Sequence, residues 1–174
     1  LISLAIIGPE AREQVYDLCA CVRRNGGRVA FDSNYRPRLW DSTPQASDAV
    51  ERMAGLCDIA LPTASDEAML FGSHDPERIA ARWHGLGTAE VAVKLGAEGC
   101  LLSYAGHRQF VPAIAGIRPV DTSGAGDAFN AGYLRARISG QDPANAALCG
   151  HALAGWVITC NGALPRRSAT APYT

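Results

Sequence analysis

The stretch VDTSGAGDAFNAGYL, residues 120–134, sets three glycines and two aspartates at the entrance of an apolar helix. Gly124 and Gly126 let backbone N–H groups converge where the helix begins, and unpaired donors there, together with the helix dipole, favour an anion such as a phosphate. Gly124, Ala125 and Gly126 are therefore candidate donors to a phosphoryl group. Asp127 follows in the first turn, where its carboxylate can accept a proton from an attacking hydroxyl. A glycine-rich turn with a capping aspartate accounts for the same letters, since Asp is favoured in first turns. The stretch alone leaves both readings open.

Three further segments carry candidate chemistry. FDSNYRPRLW, residues 31–40, places Arg36 and Arg38 just past a strand, and a guanidinium donates paired hydrogen bonds to a carboxylate or phosphate; surface arginines in a loop are the plain alternative. KLGAEG, residues 94–99, puts Gly96 and Gly99 after a strand, which an ordinary turn also explains. In DIALPTASDEAMLFG, residues 58–72, Thr63 can cap a helix and Asp66 can hold a metal-bound water, or equally compensate the helix dipole. His151 falls within the last long helix, where a satisfied packing histidine is the simplest account. Neither GxxxxGK[ST] nor GxGxxG in a strand-turn-helix setting occurs, which disfavours a P-loop or dinucleotide enzyme.

The elements that must position these residues alternate. Gly8-Pro9 opens EAREQVYDLCACVRRNGG, a helix with Val15, Leu18, Cys19 and Val22 at helical spacing and a stop at Asn25-Gly26-Gly27. RVAFDSN reads as a short buried strand, and Pro37 and Pro44 are expected to keep YRPRLWDSTPQ from being helical. A helix over 45–57, the strand DIALP, the helices ASDEAMLFG and DPERIAARWHGLG, and the strand AEVAVKLG follow. GCLLSY and RQFVPA form a hairpin around AGH. A helix then runs from about Gly124 to Ser139, with Phe129, Tyr133, Leu134 and Ile138 inside. A last helix, capped by Asp142-Pro143, runs toward Asn161-Gly162. Such alternation predicts an α/β domain with a mainly parallel sheet, whose ligands collect at the C-terminal ends of strands.

Composition narrows the function classes. Sixteen Lys+Arg against seventeen Asp+Glu give a formal net charge of -1, so nothing draws the whole molecule to nucleic acid or a membrane surface. The six cysteines lack CxxC spacing and read as buried thiols in a reducing cytoplasm. Trp40, Trp83 and Trp156 read as packing residues rather than a stacking platform. LISLAII starts apolar, with neither Met nor a basic region, and reads as an interior strand or strand exit. The chain is accordingly expected to be part of a longer one.

DTSGAGDAFNAGYL resembles the C-terminal signature of the ribokinase-like sugar kinases, the PfkB family, and FDSNYRPRLW and DIALPTASDEAMLFG resemble segments of its 2-keto-3-deoxygluconate kinase branch. The resemblance implies a ribokinase-like three-layer α/β/α fold with a mainly parallel sheet, of which residues 1–174 are the C-terminal part, the N-terminal strands and lid being absent. It implies ATP and Mg2+, with Asp127 as base and the Gly124–Gly126 loop stabilising the transferring group. It places Asn34, Lys94, Gly96, Gly99 and His151 near the nucleotide, Arg36 and Asp127 at the sugar, and Asp66 toward the metal. The family commonly has Asn and Glu three residues apart where this chain has Thr63 and Asp66, which puts the metal role in doubt. The partners implied are a small-molecule sugar acid and ATP, with no nucleic acid and no membrane; a homo-oligomer is compatible. A kinase of a neutral sugar such as fructose or ribose is the near alternative, and an inactive fragment or nucleotide-binding module the alternative of another class.

Overall fold

The computed structural model describes residues 4–166, 168, 169, 171 and 172. They divide into two compact units, one of Leu1–Leu95 with Ser103–Arg108, the other of Gly96–Leu102 with Gln109–Thr174.

The first unit alternates helix and strand in the expected order. Helix α1 (Pro9–Arg24) leads to strand β1 (Ala30–Phe31), helix α2 (Thr43–Ala54), strand β2 (Ile59–Ala60), helices α3 (Ala64–Phe71) and α4 (Pro76–Gly85), and strand β3 (Glu90–Lys94). The strands are parallel, with Phe31 opposite Ala60 and Ala60 opposite Val91. Beyond the ladders, Leu61 N–H donates to Phe31 O at 2.9 Å and Lys94 N–H to Pro62 O at 2.8 Å. The C-terminal ends of all three strands are thereby held side by side, with Asp32, Thr63 and Lys94 at that edge. All of β3 is buried, as a parallel strand covered on both faces must be.

Local chemistry sets the helix ends. Gly72, at φ +75°, closes α3, and Asp75 accepts from Glu77 N–H at 3.0 Å to open α4. Pro44 does not block a helix as expected. Ser42 caps α2 by accepting from Gln45 N–H at 3.3 Å, and Pro44 lies in the first turn, where its missing N–H is no loss. The same device gives a short 3-10 turn at Pro37–Leu39. Leu4–Ile6 likewise form a 3-10 turn rather than a strand, residues 1–3 of that expectation lying outside the described residues. On α1 the buried residue is Tyr16, while Leu18 is 59% exposed.

The centre of this unit is α4 against the sheet. Trp83 is fully buried, its ring centroid 6.1 Å from that of Phe31 and its Nε1–H donating to Glu67 Oε1 at 3.1 Å. Arg82 donates to the other oxygen of Glu67 at 2.6 Å and lies over the Phe71 ring. Burial pushes the Glu67 carboxyl up, and the Arg82 charge pulls it back. Of the other tryptophans, Trp40 is half-buried beneath the Arg12 guanidinium and Trp156 is half-buried too.

Strands β4 (Gly99–Tyr104) and β5 (His107–Pro112) make the expected hairpin; its two-residue turn, Ala105-Gly106, has both φ angles positive. In the second unit Ala113 N–H donates to Glu98 O at 3.2 Å. Helices α5 (Ala125–Ile138) and α6 (Pro143–Val157) pack against each other. Their approach is close because glycines meet there. A Cβ on Gly132 would lie 2.6 Å from Cys149 O, and one on Gly150 2.8 Å from the Phe129 ring. Phe129, Tyr133 and Ala136 form the inner face of α5, but Ile138, expected inside, is 86% exposed. Asp142 caps α6 as expected, accepting from Asn145 N–H at 2.8 Å.

All six cysteines are free. Cys57 and Cys100 are buried, and burial pushes their thiols up to about 11 and about 12. Thiol titration of the native chain near pH ~8 is therefore expected to modify the exposed Cys21 and spare both buried thiols, since the thiolate is the reactive form. Modification of Cys57 or Cys100 ahead of unfolding would contradict that. Among the described residues no helix is long and apolar enough to cross a membrane.

Candidate active site

In the first unit the candidate residues gather at the strand ends. Where β1 stops, Asp32 turns its carboxylate back on the chain: Oδ1 accepts from Asn34 N–H at 3.0 Å and Oδ2 accepts from Lys94 Nζ at 2.5 Å. Both side chains of this ion pair are buried. Removing one partner from such a pair costs about 3–5 kcal/mol, because the other charge is left without compensation. Asn34 has φ +40°, a left-handed conformation that Asn adopts more readily than most residues, though still at a cost of roughly 1–3 kcal/mol. Next in sequence, Tyr35 donates its N–H to Asp66 Oδ2 at 3.0 Å. Arg36 then emerges exposed, in the extended conformation that a following proline favours, with Nη1 donating to Tyr35 O at 2.8 Å.

Asp66 is buried in the first turn of α3, and burial pushes its carboxyl up. The Tyr35 N–H and the Arg36 and Lys94 charges pull it down, against the neighbouring Asp32. Thr63 is the N-cap residue but makes no side-chain cap bond. Ser33 Oγ is buried with no hydrogen-bond partner among the described residues. Among those residues no group of three His, Cys, Asp or Glu could hold a metal. The donor set suits Mg2+ only in its usual mode, through one or two carboxylates, water and substrate phosphates.

In the second unit the glycine-rich loop opens α5. Gly124 is its N-cap with φ +76°, and a Cβ there would lie 2.8 Å from Ala163 O. Both facts demand glycine. Asp121 straps the loop down, its carboxylate accepting from Ser123 N–H at 2.8 Å and Gly162 N–H at 2.9 Å; these bonds, the first above all, hold it below the usual carboxylate range. Val120 N–H donates to Ile158 O at 2.7 Å, and Ala125 N–H to Thr122 O at 3.2 Å. The first intrahelical bond runs from Ala128 N–H to Gly124 O at 2.8 Å. The amides of Gly126 and Asp127 thus lie at the open start of the helix, and Asp127 carries an exposed carboxylate beside them. That arrangement fits an anion and a proton acceptor together.

Gly96 opens a 3-10 turn, Gly96–Glu98, and Gly99 follows it, both at positive φ. Gly99 is explained by packing, since its Cβ would collide with Val111 O, whereas a Cβ on Gly96 would meet open space. His151 is buried, its ring centroid 5.0 Å from that of Phe129 and its Nε2 3.2 Å from Val111 O. A carbonyl only accepts, so Nε2 carries the proton, and burial lowers the affinity of the ring for a second one. These are the contacts of a packing histidine.

Sequence reasoning passed over Asp32 and Glu67. Asp32 stood in the quoted FDSNYRPRLW, and the signal was an acidic and a basic residue each one step beyond, or at, the end of a parallel strand. Glu67 stood beside Asp66 with no local partner, which in a buried first turn calls for a distant one.

The profile of the pfkB family carbohydrate kinases matches residues 2–169. The chain is 44% identical over 171 residues to the 2-dehydro-3-deoxygluconokinase of Escherichia coli strain K12, covering 97% of this chain and 55% of that protein. With the enzyme of the same name from Dickeya dadantii it shares 43% identity over 166 residues, 94% of this chain and 54% of the other. The chain thus spans about half the length of the curated relatives it matches. Among solved structures, aminoimidazole riboside kinase from Salmonella enterica, complexed with aminoimidazole riboside and an ATP analog, superimposes with a TM-score of 0.83 at 29% identity, over 92% of this chain and 55% of that one. The fold is the ribokinase-like α/β fold, and with a family profile matched over nearly its whole length the chain belongs to the pfkB family of carbohydrate kinases.

Proposed function

We propose that the chain is the C-terminal part of a single ribokinase-like domain that transfers the γ-phosphoryl group of ATP to the primary hydroxyl of a keto-deoxy sugar acid. The substrate favoured is 2-keto-3-deoxygluconate, giving its 6-phosphate. The observation that carries the substrate class is Arg36, exposed on a loop whose preceding amides are held by buried carboxylates. An acidic sugar needs such a cation and a neutral sugar does not. The two 2-dehydro-3-deoxygluconokinases at 43% and 44% identity support the same choice.

In this mechanism the sugar hydroxyl attacks the γ-phosphorus as its proton passes to Asp127, and the bond from that phosphorus to the ADP leaving oxygen breaks. Backbone N–H groups of the loop Gly124–Gly126 stabilise the negative charge on the transferring group, the amides of Gly126 and Asp127 being the ones open at the helix start. Arg36 orients the sugar carboxylate. Asn34, Lys94, Gly96 and Gly99 line the nucleotide side, Lys94 acting through its pair with Asp32; His151 supports that side by packing. Asp66 is the residue that would hold a water of a bound Mg2+, and the ion would supply neutralisation of charge on the phosphates.

Coupled ATP-consumption assays on the complete protein carrying this chain, with 2-keto-3-deoxygluconate, fructose and ribose, test the reading. The sugar acid is expected to be turned over fastest. Preference for fructose or ribose would overturn the substrate, and ATP binding by calorimetry without turnover of any sugar would point to a nucleotide-binding module.

A further inference from the structure

Lys94 and Asp66 face inward, each occupied by a backbone or carboxylate partner, and together with Asp32 they converge on two consecutive amides. Asp32 takes the N–H of Asn34 and Asp66 that of Tyr35, both at 3.0 Å, while Lys94 fixes Asp32 from behind at 2.5 Å. The backbone between them is in a left-handed turn at Asn34, which a free loop would leave. Two residues on, Pro37 stiffens the far side of Arg36. Arg36 is thus bounded by a clamp on one side and a ring on the other, and one of its donors is already satisfied by Tyr35 O at 2.8 Å. Its remaining N–H groups are exposed on a loop whose two preceding amides are already held, so little of the backbone has to order on binding, which favours selective capture of a planar anion.

We propose that Asp32 and Asp66 are positioning residues, a two-carboxylate clamp that fixes the Asn34–Tyr35 backbone so that Arg36 discriminates acidic from neutral sugars. The proposal rests on the sugar-acid kinase reading for its ligand but not for the clamp itself. It gives Asp66 a duty that uses Oδ2, separate from any metal-bound water.

Two measurements separate the parts. The first is amide hydrogen exchange of Tyr35, read by NMR on the complete protein without substrate. Asp66→Ala is expected to speed that exchange by ~10-fold or more, whereas Asp66→Asn, which keeps an acceptor oxygen, stays within a few-fold of the parent. Unchanged protection in Asp66→Ala overturns the clamp whatever the protein phosphorylates. If Asp66→Ala does not fold, Asp32→Asn with Lys94→Met, which removes both charges and keeps an acceptor, should retain Asn34 and Tyr35 protection; its loss there would overturn the arrangement equally.

The second is the KM for 2-keto-3-deoxygluconate relative to that for fructose. Asp66→Ala is expected to raise this ratio by roughly 10-fold in the parent and not at all in an Arg36→Ala background, since residues acting through one group are not additive. A ratio shifted equally in both backgrounds would show that Asp66 does not act through Arg36. Absence of turnover with every sugar would overturn the kinase reading and leave the exchange result to decide the clamp.

Discussion

Replacing Asp127 with Asn in the complete protein is expected to lower turnover by ~10²–10⁴-fold, or roughly 3 to 5 kcal/mol of barrier, with ATP affinity and melting temperature nearly unchanged. Asn keeps the size and most of the hydrogen bonding of Asp but cannot take a proton. Asp127 is exposed in the first turn of α5, and the bonds that shape the loop come from Asp121, Thr122 and Gly124. A carboxylate that served only the helix start would be missed as stability, at most ~1 kcal/mol, and hardly as rate. The two roles therefore separate by magnitude and by observable. Melting temperature, ATP affinity and turnover on a single preparation decide between them, and turnover within a few-fold of the parent would rule out Asp127 as the base.

The largest loss of stability is expected from Trp83→Ala. Truncating a fully buried tryptophan costs about 3–5 kcal/mol in lost burial and cavity. The substitution also takes one of the two donors from the buried Glu67, which keeps only Arg82. For a chain of this size ~1 kcal/mol moves the melting temperature by roughly 2–4 °C, so a fall of about 6–20 °C is expected in thermal unfolding followed by circular dichroism. Trp83→Phe keeps most of the volume and loses the N–H, so its cost is about 1–3 kcal/mol. A shift of only a degree or two for Trp83→Ala would mean that the α4 core does not govern the stability of its unit.

Element order and most caps were legible because they depend on neighbours in sequence. Asp75, Asp142 and Gly72 act within a turn of where they stand. Ser42-Thr43-Pro44 opens a helix where proline alone suggests a break, because the serine caps it and Pro44 falls in the first turn. Ile138 had helical spacing, but the helix is in its last turn there and the side chain is exposed among the described residues. The site shows the same division. The glycine requirement at Gly124 was readable as a left-handed cap, yet half of its cause is the carbonyl of Ala163, brought near only by the fold. The Asp32–Lys94 pair joins residues 62 apart and depends on β1 and β3 ending level on either side of β2. No local pattern reports that. Residue chemistry pointed to Arg36 and Asp66, and resemblance to a family added Asn34, but neither reported the backbone amides that Asp32 and Asp66 hold.

The straps on the glycine-rich loop have a consequence for how that part of the molecule opens. Asp121 is tied to Gly162 and Val120 to Ile158, at the far end of α6, while Gly132 and Gly150 lock α5 to α6 along their length. The loop is thus tied to both helices, so that opening it means breaking bonds that also hold their ends. A glycine-rich loop built this way is kept in shape by the same free energy that keeps two helices together.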